Sequence, residues 1–221
     1  MAITPLTTLA GDLTEVYRIS RGGRIYDNWM TTLKMKTPPK ETHASYPSGG
    51  ETKGSATWRC VACHGWDYKG TKGTVARDLR TWMGKDPQQV TAILRDPVHR
   101  YTPELLPDDA ASDVALFLAK GLIEPEKYID ATSGRSRGDA ARGAPYFQTI
   151  CAACHGLDGR KLNFGSDKEP EYLGTEANEN PFEVLHKIRN GQPGQEMISL
   201  RMLPPEVAAD ILAYEQTLPV H

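Results

Sequence analysis

No stretch of about 18 consecutive apolar residues occurs in the chain, which excludes a membrane-spanning helix. Net charge is scarce as well. The balance is −2 over 221 residues, which excludes nucleic-acid binding driven by bulk electrostatics. Residues 1–30 lack the apolar core of a secretion signal, because Pro5, Gly11 and Asp12 interrupt it. An exported protein is therefore expected to carry this sequence in processed or re-engineered form. What is abundant is Gly (20) and Pro (16), which suits a loop-rich fold of short helices. The length allows two small domains or one medium one. Charge is unevenly spread: residues 1–60 hold eight Lys/Arg against five Asp/Glu, and residues 161–221 hold five against ten. Such asymmetry can orient a docking partner or be ordinary solvated surface.

Cysteine is limited to four residues, and all four lie in two C-x-x-C pairs, each followed at once by His and Gly. The pairs are Cys60-Val61-Ala62-Cys63-His64-Gly65 and Cys151-Ala152-Ala153-Cys154-His155-Gly156. Two thiols three positions apart on one helical turn can add to the two vinyl groups of one haem. The next residue, His, then gives the iron its proximal nitrogen. A zinc site does not require His after both pairs. A thioredoxin-like motif needs one pair inside a βαβ pattern that is absent here. Structural disulfides leave both histidines unexplained. Covalent haem attachment at Cys60, Cys63 and His64, and again at Cys151, Cys154 and His155, is the expected chemistry. No fifth Cys exists, so a Cys-ligated haem is excluded.

The chain also repeats itself. Gly23-Arg24-Ile25-Tyr26 pairs with Gly143-Ala144-Pro145-Tyr146-Phe147 as a first helix ahead of each motif. Asp86-Pro87 and Asn180-Pro181 are matching helix starts, an N-cap residue followed by Pro. Leu106-Pro107 through Lys120 matches Leu203-Pro204 through Thr217 without a gap, with Asp113 on Asp210. One difference stands out. About 28 residues, Met30 to Thr57, intervene before the first motif and read as an irregular loop. Such a loop can cover a haem edge, dock a partner, or be a tolerated insertion.

The order of Gly-x-x-Tyr helix, C-x-x-C-H-G, capped helix, distal loop and C-terminal amphipathic helix resembles class I c-type cytochromes. The likeness covers nearly the whole chain, twice. It implies an all-α fold of two tandem cytochrome c-like domains, at residues 1–122 (with the insertion at about 30–57) and 138–221, joined by a linker at 123–137. It implies two covalently attached haem c groups, with His64 and His155 as proximal ligands. The family's distal ligand is usually Met, which points to Met197 for the second haem, with Met202 as competitor. The Pro that often follows this Met is replaced by Ile198. The first copy has no Met in that loop, and His99 stands within one position of Met197 in the repeat. His99 is therefore expected on the first iron, its rivals being His43, Met83 and an open sixth position. His186 is expected to be a packing or hydrogen-bonding residue.

A Met/His haem lies at higher potential than other ligations, and a bis-His haem is expected below it. The implied function is one-electron transfer between redox protein partners. Alternatives are a haem enzyme, thiosulfate dehydrogenase-like or peroxidase-like, and a cytochrome subunit of a larger complex with a catalytic oxidoreductase subunit. Haem attachment of this kind implies export, to the periplasm in a bacterium. Trp58, Trp66, Tyr68 and Trp82 are candidates to wall the first pocket, and Arg59, Arg77 and Arg80 to neutralise haem propionates.

Overall fold

A computed structural model describes residues 6–220, with side chains described from residue 13 onward. His221 lies outside the described residues. The fold is all-α. Among the described residues there is no strand, only an isolated antiparallel bridge between Ile129 and Ser136. The chain divides into two compact units. The first comprises Met1–Ile123 and Asn190–Ser199, and the second Glu124–Arg189 and Leu200–His221.

In the first unit α1 (Leu6–Thr32) is interrupted by a non-helical residue, Asn28. Residues 33–53 follow without regular structure, then a 3₁₀ turn at Gly54–Trp58 and the motif helix α2 (Cys60–His64). A second 3₁₀ turn at Leu79–Trp82 precedes α3 (Pro87–Leu94), which starts as the sequence suggests: the Asp86 carboxylate accepts the Gln88 N–H. Then comes α4 (Asp108–Leu116), prolonged by a π-helical turn at Phe117–Gly121. The core is built on Ile25, Tyr26, Trp29, Leu106, Val114 and Phe117, each almost fully buried.

The second unit follows the same plan with a shorter lead. Here α5 (Ala140–Tyr146) continues through a π turn at Phe147–Cys151 into α6 (Ala152–His155). No break separates the first helix from the second C-x-x-C-H motif. α7 (Leu173–Glu179), which the periodicity did not announce, precedes α8 (Pro181–Asn190) and α9 (Pro205–Glu215). His186 is buried.

Each unit is closed by a crossing between its first and last helices. The crossing needs a glycine. A Cβ on Gly22 would stand 2.1 Å from the Asp113 carbonyl oxygen, and one on Gly143 would stand 1.9 Å from the Asp210 carbonyl oxygen. The aligned aspartates then clamp the crossing. Asp113 takes Arg18 at 2.7 Å and Arg21 at 2.6 Å, while Asp210 takes Arg142 Nε at 2.8 Å. This corrects the register read from the sequence. Gly143 corresponds to Gly22 rather than Gly23, and Tyr26 to Phe147, four residues on in both units. Tyr146 is 36% exposed, whereas Tyr26 and Phe147 are buried.

Two boundaries also differ from the expected ones. Residues 124–137, expected to lie in a linker, are built into the second unit. Ile129 is fully buried, Ser136 Oγ donates to the Ala209 carbonyl at 2.7 Å, and Gln216 Nε2 donates to the Gly134 carbonyl at 2.9 Å. Polar side chains thus satisfy a backbone that composition alone marks as loose. Residues 190–199 belong with the first unit, where Arg24 Nη1 donates to the Asn190 carbonyl at 2.8 Å.

Candidate functional site

In the first unit the motif is fastened to α1 at several points. Tyr26 Oη donates to the Gly65 carbonyl at 2.5 Å, and Trp29 Nε1 to the Trp58 carbonyl at 2.8 Å. Arg59 grips Asp27, a buried carboxylate, at 2.6 Å. The glycine ending each motif has a conformational reason. Gly65 (φ 68°, ψ 169°) and Gly156 (φ 80°, ψ 159°) occupy a region essentially open only to glycine.

None of the four cysteines is in a disulfide. Burial pushes the Cys60 and Cys151 thiols up to about 12. Burial, then the neighbouring His99 and Arg77, brings His64 down to about 4. Burial also lowers His155. Both imidazoles are therefore neutral, the form that offers a nitrogen lone pair to a metal.

The structure brings His64 and His99 together. Their rings stand 6.3 Å apart between centroids, with planes inclined by 23°. The Nδ1 of His99 is engaged by Asp96 Oδ1 at 3.1 Å, and Nδ1 of His64 is buried with no hydrogen-bond partner. Nε2 of each ring is left for an iron. Two imidazole nitrogens each about 2.0 Å from a shared metal place their ring centroids about 6 Å apart once ring size is included. The observed spacing and the paired thiols of α2 fit a haem c between the two histidines.

The rivals fare differently. His43 is buried with both ring nitrogens committed: Nδ1 accepts the Ser45 N–H at 3.1 Å and Nε2 meets the His99 carbonyl at 2.9 Å. Met83 is 41% exposed. Of the three arginines, Arg59 and Arg80 are already paired with Asp27 and Asp78, each at 2.6 Å. Arg77 is exposed, makes no ion pair among the described residues, and acts electrostatically on His64. Trp58 Nε1 is spent on the Glu41 carbonyl at 2.9 Å. Tyr68 is buried against Tyr26 and Phe117.

In the second unit Cys151, Cys154 and His155 lie on the end of the α5–α6 rod. Nδ1 of His155 is buried with no partner, and its ring lies 6.2 Å from that of Phe164. The donor set again fits a haem c. Met197 sits half-buried on the 190–199 segment, and Met202 is 62% exposed. His155 belongs to one unit and Met197 to the other.

Two residues escaped the sequence reading. Asp96 is one: its Oδ1 accepts the N–H groups of Val98 and His99, each at 2.8 Å, as well as the His99 ring. An Asp three positions before the candidate ligand was the available signal. Glu215 is the other. It is fully buried beside Cys151, and burial pushes its carboxyl up to about 8. Nothing local marks it, because it follows a regular apolar helix pattern.

Residues 138–214 match the family described as cytochrome C oxidase, cbb3-type, subunit III. No curated protein matches the chain. Two solved structures show some similarity. The reducing HAO-like protein complex of Kuenenia stuttgartiensis is 16% identical, with 82% of this chain and 98% of that chain covered, at a TM-score of 0.30. The thiosulfate dehydrogenase of Marichromatium purpuratum in its as-isolated form is 18% identical, with 90% of this chain and 45% of that chain covered, at a TM-score of 0.24. TM-scores of this size assign no common fold. The family match and the two attachment motifs together support a c-type cytochrome.

Proposed function

We propose that the chain carries two haem c groups and moves single electrons between redox protein partners outside the cytoplasm, in the periplasm of a bacterium. Haem 1 is attached at Cys60 and Cys63 and ligated by His64 and His99. Haem 2 is attached at Cys151 and Cys154 and ligated by His155, with Met197 as sixth ligand. The observation that carries this reading is the 6.3 Å spacing of the His64 and His99 rings, which suits two ligands of one iron.

When bound, each haem supplies a one-electron couple. The protein's part is to fix ligand identity and exclude water. Two neutral imidazoles on haem 1 favour a lower potential than imidazole with thioether on haem 2. Arg77, exposed beside His64, balances propionate charge. A catalytic role at haem 1 needs an exchangeable sixth position, and the placement of His99 speaks against one.

The test is a mass measurement joined to spectroscopy of the purified protein. The expected result is a mass increment of two haems, two low-spin EPR signals and two separate midpoint potentials. His99→Ala should turn one signal high-spin, and Met197→Ala the other. A single haem, or two equal potentials, overturns the proposal.

A further inference from the structure

The segment between α1 and the first motif has no counterpart in the second unit, yet it is not loose. His43 is 7% exposed, and its ring stands edge-on to Trp58, 4.3 Å between centroids. Its backbone N–H donates to Thr57 Oγ1 at 2.8 Å, and that hydroxyl donates to the Gly54 carbonyl at 2.5 Å. The loop is thereby tied across its own neck.

From this anchored position it reaches the strip that carries His99. Ser45 Oγ donates to the Val98 carbonyl at 2.8 Å. His43 Nδ1 accepts the Ser45 N–H at 3.1 Å, so the ring proton sits on Nε2 and points at the His99 carbonyl, 2.9 Å away. Asp96 in turn holds the N–H groups of Val98 and His99 and the Nδ1 of the His99 ring. The N–H and C=O groups of residues 98 and 99 and one ring nitrogen are therefore held. The chain leaves this strip through Arg100 at φ 56°, a left-handed conformation uncommon for a non-glycine residue.

We infer that the 33–53 segment is a clamp on the sixth-ligand strip, with His43 and Ser45 as positioning residues that keep His99 on the iron, while the Asp96 carboxylate sets how strongly the imidazole donates. This rests on His99 being the sixth ligand of haem 1. A carboxylate on the far nitrogen of a ligating His raises its basicity and fixes its orientation. His64 has no such partner on Nδ1, so the two imidazoles are unequal and His99 would be the stronger donor to a bound haem.

The test uses the full-length protein carrying both haems, with haem 2 as internal control. The variants are His43→Phe, which keeps a buried ring without a donor, His43→Gln, which restores one, and Ser45→Ala, at an exposed position that carries little folding risk. The readouts are the low-spin fraction of haem 1 by EPR and the rate at which cyanide or free imidazole displaces its sixth ligand. His43→Phe should speed displacement at haem 1 by about 10-fold or more, Ser45→Ala by less, and His43→Gln should recover part of the loss. Haem 2 should keep its spectrum throughout. Asp96→Asn, which keeps an acceptor oxygen for the two N–H groups, should raise the midpoint potential of haem 1 alone. His99→Ala separates the two ideas. If it leaves haem 1 low-spin, the ligand assignment fails. If it gives high-spin iron while His43→Phe and Ser45→Ala leave displacement unchanged, the clamp fails and the assignment stands.

Discussion

The two units use one plan with different degrees of fastening around the motif. In the second, a single rod from α5 through a π turn to α6 presents Cys151, Cys154 and His155. In the first, α1 ends at Thr32 and the motif arrives on a separate short helix, so side chains must tie it down. Tyr26, Trp29, Asp27 and the 33–53 segment do so. The loop after the motif shows the same contrast. Asp67 is buried and accepts from the N–H groups of Lys69, Gly70 and Lys72 and from the Thr71 hydroxyl. Its counterpart Asp158 is exposed and accepts from Arg160 N–H. Continuity of helix and density of side-chain bonds are alternative ways to hold one motif.

The shared part of the plan should be the most costly to break. Gly22→Ala and Gly143→Ala each drive a methyl group into a backbone carbonyl and should each lower stability by about 3 kcal/mol or more in denaturant titration. A loss confined to one unit would end the equivalence of the two crossings.

Glu215 belongs to the second unit alone. Its folded carboxyl titrates at about 8 against an ordinary 4.5, because burial disfavours the charge. The folded state thus keeps a proton that the unfolded chain has released, and stability falls as pH rises between these values. Glu215→Gln should flatten that fall and stabilise the protein at pH 9 by on the order of 3 kcal/mol. Equal stability of variant and parent at pH 9 would contradict this.

The motif glycines should respond unequally. A Cβ on Gly65 would meet the backbone carbon of Lys72 at 2.6 Å, whereas one on Gly156 would meet Asp158 Oδ1 and Lys161 Cβ at 3.2 Å, side-chain atoms that can move. Gly65→Ala should cost about 2–3 kcal/mol and Gly156→Ala about 1 kcal/mol, read from thermal unfolding. The smallest pair is Asp67→Ala, at about 2 kcal/mol, against Asp158→Ala, at about 0.5 kcal/mol. Similar losses at the two aspartates would remove the contrast in fastening.

Much of this was legible in the sequence because it is local. The two C-x-x-C-H-G motifs, the Asp86-Pro87 helix start and the gap-free alignment of the last helices are carried by residues within a few positions of one another. The helix-crossing register was misread by one residue in the first copy because Gly22 and Gly23 are adjacent, and only the partner helix distinguishes them. The fastening of the 33–53 segment depends on His43 meeting a residue 56 positions away, and the buried state of Glu215 on tertiary packing. Neither leaves a periodic trace. Residues 124–137 look like a spacer by composition, and only their bonds to Ala209 and Gln216 show otherwise.

The pairing of first and last helices has a consequence for how each unit comes into being. Arg21 meets Asp113 across 92 positions, and Arg142 meets Asp210 across 68. Each cysteine motif lies inside a ring of chain that shuts only when the closing helix arrives. During synthesis from the N-terminus the thiols of either motif are made well before their enclosure is complete. Until the closing helix arrives, the cysteines of either motif lie in an open stretch of chain.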